Sequence, residues 1–269
     1  MAEASRAEDY RVALRGLTDS QLRTYLRENS GLPGPRANLT LADVFATQAA
    51  PEQVLALSAE SDEYLAFCGT EGLGPLALDP HLRPVAMAAL LNAAVDDRWR
   101  IREAAARALQ LLGDEDADLL HEIIDGWSRS RDLLVQRAAI AAICEPRLLA
   151  SPMARAQALT ACERATTRLL EQGASAEPEA RRILRTALGY CWSVAIAADP
   201  DAGLPAFTEL AADGSPDAQW IVSSNLGKAR LKRVLQARHL TFAAPARTRR
   251  AARAPRDPAR PRQDGYGDT

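Results

Sequence analysis

Asp96-Asp97-Arg98-Trp99-Arg100-Ile101-Arg102-Glu103-Ala104-Ala105 decides the reading of this chain, because its landmarks return. In Asp217-Ala218-Gln219-Trp220-Ile221-Val222 an acidic residue again stands three positions before a Trp, and a branched apolar residue two positions after it. A third stretch, Val135-Gln136-Arg137-Ala138-Ala139-Ile140, begins 34 residues after Ile101 and matches Ala104 with Ala138, Ala105 with Ala139, Ala108 with Ala142 and Leu109 with Ile143. Helical segments recurring at about 30 to 50 residues are the signature of an α-solenoid, in which each unit buries its apolar face on the next.

The segment 97–112 shows why units must stack. Ile101, Ala105, Ala108, Leu109 and Leu112 recur at helical spacing as one apolar stripe, while Arg100, Glu103, Arg107 and Gln110 fall on other faces. Asp96 or Asp97 supplies its cap. A single stripe needs a covering helix, and the segment 80–95 offers one. With Val85, Ala88, Ala89, Leu90 and Leu91 it is apolar over more of its circumference, which predicts that it is the better buried of the two. The short connection at Asp96-Asp97 predicts an antiparallel pair.

Composition agrees. Of 269 residues, 54 are Ala, the best helix former, and only 5% are aromatic. Helix starts are marked by Pro after an oxygen-bearing cap at Asp79-Pro80, Ser151-Pro152, Asp199-Pro200 and Ser215-Pro216, with Glu177-Pro178 as a variant. Thr18-Asp19-Ser20-Gln21 is a capping box for a helix through about Glu28. Further helices are predicted at 40–49, 51–59, 61–68, 80–95, 97–112, 115–128, 132–144, 152–172, 178–197, 200–211 and 216–238. Gly31 to Arg36 reads as a loop; Gly72-Leu73-Gly74-Pro75, Gly113, Pro146 and Gly173 read as stops. The fold class is all-α, a solenoid of stacked antiparallel helix pairs over residues 18–240. A short and partly helical segment, 1–17, precedes it, and a disordered basic tail, 241–269, follows.

Asp97-Arg98-Trp99-Arg100-Ile101-Arg102-Glu103-Ala104-Ala105-Ala106-Arg107-Ala108-Leu109 resembles the inner half of a HEAT repeat. In that family an Asp in the turn, a Val or Ile, and an Arg one position later recur; Asp97, Ile101 and Arg102 fit. At 132–143 Val135 matches but Gln136 takes the Arg place, and in the last unit Ser223 does. The chain also resembles helical-repeat proteins related to bacterial DNA alkylation repair glycosylases, whose later helices read similarly to 218–228. Those enzymes hold a damaged nucleotide with aromatic residues, an Asp and an Arg on a basic concave face. That resemblance implies as counterparts Trp99 with Arg102, and Asp125-Gly126-Trp127-Ser128-Arg129. No position aligns with a catalytic motif residue, so no catalytic role is carried over. As a plain reading of the pattern, a Trp at a helix start is a packing anchor between layers.

Charge divides the chain. From Lys228 onward twelve basic residues face three acidic ones, leaving a net +9, while residues 1–227 carry a net -11. The acidic body argues against a duplex-binding face, which needs positive charge. The tail's Arg, Pro and scarcity of apolar side chains leave it unable to build a core. His81, His121 and His239 are isolated, the acids at 114–118 read as helix capping, and Gly69 to Gly74 reads as a helix-ending loop; no metal or cofactor is expected. Cys68, Cys144, Cys162 and Cys191 show no CxxC spacing and read as buried, reduced thiols of a cytoplasmic protein. No stretch is long and apolar enough to suggest a membrane span.

These readings converge on a non-enzymatic scaffold or adaptor that binds a macromolecule, most simply a protein, through Trp99, Arg102, Trp127 and Arg129. The rival is a nucleic-acid-binding protein of the alkylation repair type. A second contact, for nucleic acid or an acidic partner, falls on Lys228, Lys232 and Arg233 and on Arg247, Arg249, Arg250 and Arg253 of the tail. Nucleic-acid binding by the tail is expected to be weak, insensitive to sequence, steeply salt-dependent and lost on truncation after residue 243. Fluorescence anisotropy of full-length and truncated protein at two salt concentrations measures it; equal binding would move the site onto the helices.

Overall fold

The computed structural model describes residues 2–34, 36–172 and 177–242. The expected stop at Gly173, and Arg247, Arg249, Arg250 and Arg253 with the rest of 243–269, lie outside the described residues. Among the described residues the secondary structure is helical throughout, with no strand. The N-terminal helices are α1 (Ala2–Leu14), α2 (Asp19–Glu28), α3 (Leu39–Gln48), α4 (Pro51–Ser58) and α5 (Glu63–Leu76). The middle of the chain forms α6 (Arg83–Ala94), α7 (Trp99–Glu115), α8 (Ala117–Ser128) and α9 (Leu133–Ile143), then a 3-10 turn at Pro146–Leu148. The last five are α10 (Pro152–Gln172), α11 (Pro178–Ala198), α12 (Pro200–Ala212), α13 (Pro216–Leu226) and α14 (Ala229–Ala237).

Most helices start where their chemistry dictates. Thr18 and Gln21 close a reciprocal capping box, with Thr18 N donating to Gln21 Oε1 at 2.9 Å. Asp116 accepts from Leu119 N at 2.9 Å to cap α8, and Asp132 caps α9. Pro152, Pro178, Pro200 and Pro216 each open a helix. At Asp79-Pro80 the expectation fails: Asp79 accepts from His81 N at 2.8 Å within a turn, and α6 begins only at Arg83. The reason is Pro84. A helix starting at Pro80 would hold Pro84 in its interior, clashing with a carbonyl four residues back, whereas at the second helical position its missing N–H costs nothing.

Two expected stops are instead crossing points. α5 runs on through Gly72-Leu73-Gly74-Pro75, because burial decides there. A Cβ at Gly69 would lie 2.1 Å from Ser58 N, and one at Gly74 would lie 1.9 Å from Ala108 O. The glycines are where α4 and α7 come backbone to backbone against α5, so tertiary packing overrides their poor helix propensity. Gly113 likewise stays inside α7, with Leu120 in the space a Cβ would need. In contrast, the single helix expected at 216–238 breaks at Gly227-Lys228, where Lys228 is extended. Just before the break the buried Asn225 ties α13 to α11, accepting from Ser193 N at 2.8 Å and donating to Leu188 O at 2.9 Å.

The helices pack in order. α1, α3, α5, α7, α9, α11 and α13 each contact the next in this series; α8, α10 and α12 do the same, and sequence neighbours from α4 onward pair with each other. α7, with neighbours α5, α6, α8 and α9, is the better buried of the α6–α7 pair, reversing the expectation from composition. α6 lies over α5 and α7, and its Val85 and Leu91 remain 45% and 44% exposed. Polar side chains link helices two apart in the order: Arg100 Nη1 donates to Glu63 at 2.8 Å, Arg164 to Asp125 at 3.0 Å, and Arg107, Arg137 and Arg181 reach Glu71, Glu103 and Asp217. These pairs are 34 to 39 residues apart in sequence.

The close approach at Gly74 is testable. Gly74→Ala forces a methyl into the Ala108 backbone and is expected to destabilise by about 2 kcal/mol or more. Gly126→Ala, with nothing within 4 Å of the new Cβ, should stabilise by about 0.5–1 kcal/mol through helix propensity. Denaturant titration of both variants gives the two signs, and a neutral Gly74→Ala would refute the crossing-point account.

Candidate functional site

Trp99 is the first residue of α7 and is 53% exposed, not the buried packing anchor that its position suggests. The buried anchor is Trp192, 1% exposed, whose Nε1 donates to Thr166 Oγ1 at 3.0 Å and whose ring lies 5.9 Å from that of Phe207. The Arg100 guanidinium sits 4.5 Å from the Trp99 ring centroid while its Nη1 is held by Glu63. Fixing the cation from behind leaves the indole in a set orientation. Trp99 and Arg100 line a groove of about 430 Å³ together with Arg36, Leu39, Phe67 and Gln110.

The wall of this groove conceals a charge cluster. Arg107 donates to Asp43 at 2.6 Å and to the fully buried Glu71. Burial pushes the Glu71 carboxyl up to about 8, with Asp43 adding to the rise and Arg107 opposing it. Its Oε2 has no hydrogen-bond partner, and Thr70 Oγ1 beside it has none. Burial likewise pushes the Cys68 thiol well up, so it is held as a neutral thiol.

Arg102 and Trp99 are not brought together. Arg102 is buried, and its Nη1 donates to the carbonyl oxygens of Asp96 at 2.5 Å and Asp97 at 2.9 Å. Burial and the neighbouring Arg137 lower its pKa. The guanidinium thus braces the turn between α6 and α7. Neither Asp96 nor Asp97 caps α7; the N-cap is Arg98, without a side-chain bond, and the Asp96 carboxylate is engaged by Arg98 through N at 2.7 Å and Nε at 2.9 Å. Those bonds hold Asp96 below the usual carboxylate range.

Asp125, Trp127 and Arg129 share the last turn of α8 and its cap. Trp127 is half-buried against the core. Arg164 at 3.0 Å and Arg129 both engage Asp125 and lower its pKa, so two cations share one carboxylate there. At the other end Arg185 lies 5.0 Å from the ring of the exposed Trp220, and with Arg181 it holds the buried Asp217. Both arginines come from α11, so Asp217 at the start of α13 is held across the helix contact. Tyr190 carries Arg230 at 4.8 Å and Lys228 at 5.6 Å from its ring, and Arg230 Nη2 donates to its hydroxyl at 2.6 Å. Lys232 and Arg233 are exposed on α14. Arg100, Arg185 and Tyr190 escaped the sequence reading. Arg100 adjoins Trp99 in the decisive stretch, but Arg185 and Tyr190 meet their partners only through packing.

The cysteines are all free and buried, and packing brings Cys144 and Cys162 to 3.7 Å between sulfurs despite their distance in sequence. Among the described residues no group of three His, Cys, Asp or Glu side chains could hold a metal, and no helix is long and apolar enough to cross a membrane.

The raised carboxyl at Glu71 gives a pH signature. Between its ordinary value of 4.5 and about 8, the folded chain retains a proton that the unfolded chain has released. Its contribution to stability is therefore complete below pH 4.5 and falls as pH rises through that window, by an amount on the order of a few kcal/mol. Glu71→Gln should flatten this slope while leaving stability near pH 5 little changed. Denaturation midpoints across pH 5 to 9 for both proteins check it; parallel curves would place the titration elsewhere.

Comparison with protein-family models, curated proteins and solved structures finds no match for this chain.

Proposed function

We propose that this protein is a non-enzymatic scaffold whose layered helices form a HEAT-like α-solenoid and whose groove at Trp99 receives a protein partner. The observation that carries this reading is the exposed indole of Trp99, paired with Arg100 in the lining of a groove that also includes Leu39 and Phe67. A rigid, half-solvated Trp with a neighbouring Arg is the composition of an interface hot spot. The contacts of each odd-numbered helix with the next, and ion pairs 34 to 39 residues apart, support a repeat architecture of the kind that presents such surfaces. A cytoplasmic location accords with four buried thiols left unpaired. In this reading Arg102 acts indirectly, by bracing the turn that positions Trp99, and Trp127 with Arg129 forms a lesser contact.

A second reading, nucleic-acid binding of the alkylation repair type, draws on the aromatic–cation pairs at Trp220 and Tyr190 close to Lys228 and Arg230. The two readings separate by variant. Trp99→Ala, with its helical spectrum and melting unchanged, should weaken binding of a co-purified partner by about 2 kcal/mol, roughly 30-fold in Kd. Quantitative affinity purification followed by titration of the recovered partner measures this. Unimpaired partner binding by Trp99→Ala would remove the groove from the interface. Release of methylated bases from DNA by the purified protein would replace the scaffold with the second reading.

A further inference from the structure

The chain leaves its last helix along α12. Arg238, just past α14, donates from Nη1 to Asp201 at 2.5 Å, at the start of α12. Phe242 then lies with its ring 5.6 Å from that of Phe207, more than one helical turn further along. The last described residues thus travel from the first turn of α12 toward its middle.

Beside Phe207 is a groove of about 440 Å³ between α10 and α12. Leu170, Trp192, Ala206 and Leu210 contribute its apolar surface, and Glu163, Glu209 and Asp213 its charge. None of these three acids has an ion-pair partner among the described residues, unlike Asp125, Asp201 and Asp217 nearby. Burial and then Glu209 raise the pKa of Glu163 against the opposing pull of Arg164, as befits negative charge held close to negative charge. The 27 residues after Phe242 carry seven arginines against three aspartates. From Phe242 to Arg247 the chain spans at most about 17 Å. Along α12 the rise from Phe207 to Asp213 is only about 9 Å.

We propose that residues 247–253 of this same chain dock in the groove between α10 and α12, their arginines meeting Glu163, Glu209 and Asp213. The contact continues one that already exists, from Arg238 on Asp201 to Phe242 on Phe207. A short tether gives the arginines an effective concentration of about millimolar at the groove, so weak individual pairs suffice to populate the docked form. An external polyanion then competes with the protein's own body for the tail, and the two binding events exclude each other.

The test uses the full chain. Amide hydrogen exchange is compared between the wild type and a variant carrying Arg247→Gln, Arg249→Gln, Arg250→Gln and Arg253→Gln. The wild type should exchange several-fold more slowly in 163–170 and 206–213 at low salt, and the difference should vanish at about 0.5 M salt, where screening is nearly complete. In the reciprocal experiment Glu163→Gln, Glu209→Gln and Asp213→Asn together should speed trypsin cleavage after Arg247 to Arg253 several-fold, with exchange in α5 and α7 unchanged. Equal exchange in wild type and tail variant overturns the proposal, as does protection that falls on other helices. Protection that grows with protein concentration also overturns it, because the occupant is then a second copy.

Discussion

The position of α5 is set by backbone contact: Gly69 meets α4 and Gly74 meets α7 with no space for a side-chain carbon between them. Interhelical distance there is fixed by peptide groups, which cannot repack as side chains can. Glu71 lies between those two glycines, in a part of the fold where water is excluded. Its carboxyl therefore reaches its cation, Arg107, across the same α5–α7 interface that the glycines close. Packing and the hydrogen bond of the buried carboxyl are one constraint. A looser crossing would hydrate Glu71 and lengthen its bond to Arg107 together.

The same design recurs in weaker form through the molecule. Arg137 reaches back from α9 to the Arg102 carbonyl at 2.8 Å and to Glu103, and Arg181 with Arg185 reaches from α11 to Asp217. Alanine is among the commonest interior residues, so helices sit close where it packs, and long arginine side chains span from one helix to another. Two of these arginines also face aromatic rings, Arg100 at Trp99 and Arg185 at Trp220. Structural cations thereby double as supports for exposed indoles, and the candidate surface is built from the elements that hold the layers together.

Helix class and most helix starts were legible because caps and proline are local chemistry: Thr18, Asp116, Asp132 and Ser215 act on residues two or three positions away. Where local signals and packing disagreed, packing prevailed. Gly72-Leu73-Gly74-Pro75 reads as a break, but its glycines answer to Val54 and Ala108, residues far away in sequence. The greater burial of α7 than of α6 was equally hidden, since the number of neighbours around a helix is not a property of its own pattern. At the candidate surface, Trp99 was legible as a landmark but its exposure was not. Arg102 has the right identity for a contact residue, and only the carbonyls of Asp96 and Asp97 reveal where its guanidinium goes.

The nearly constant sequence distance across the ion pairs bears on how the chain acquires its shape. Most arginines that bridge helices find a partner 32 to 39 residues away, Arg107 also reaching Asp43 at 64, so loop-closure entropy is met mostly in similar small instalments. The principal contacts join helices one or two apart in the chain order, which favours folding from local nuclei. Order can spread from helix to helix in the direction of synthesis, each new layer docking on one already formed while the rest of the chain is still in the ribosome.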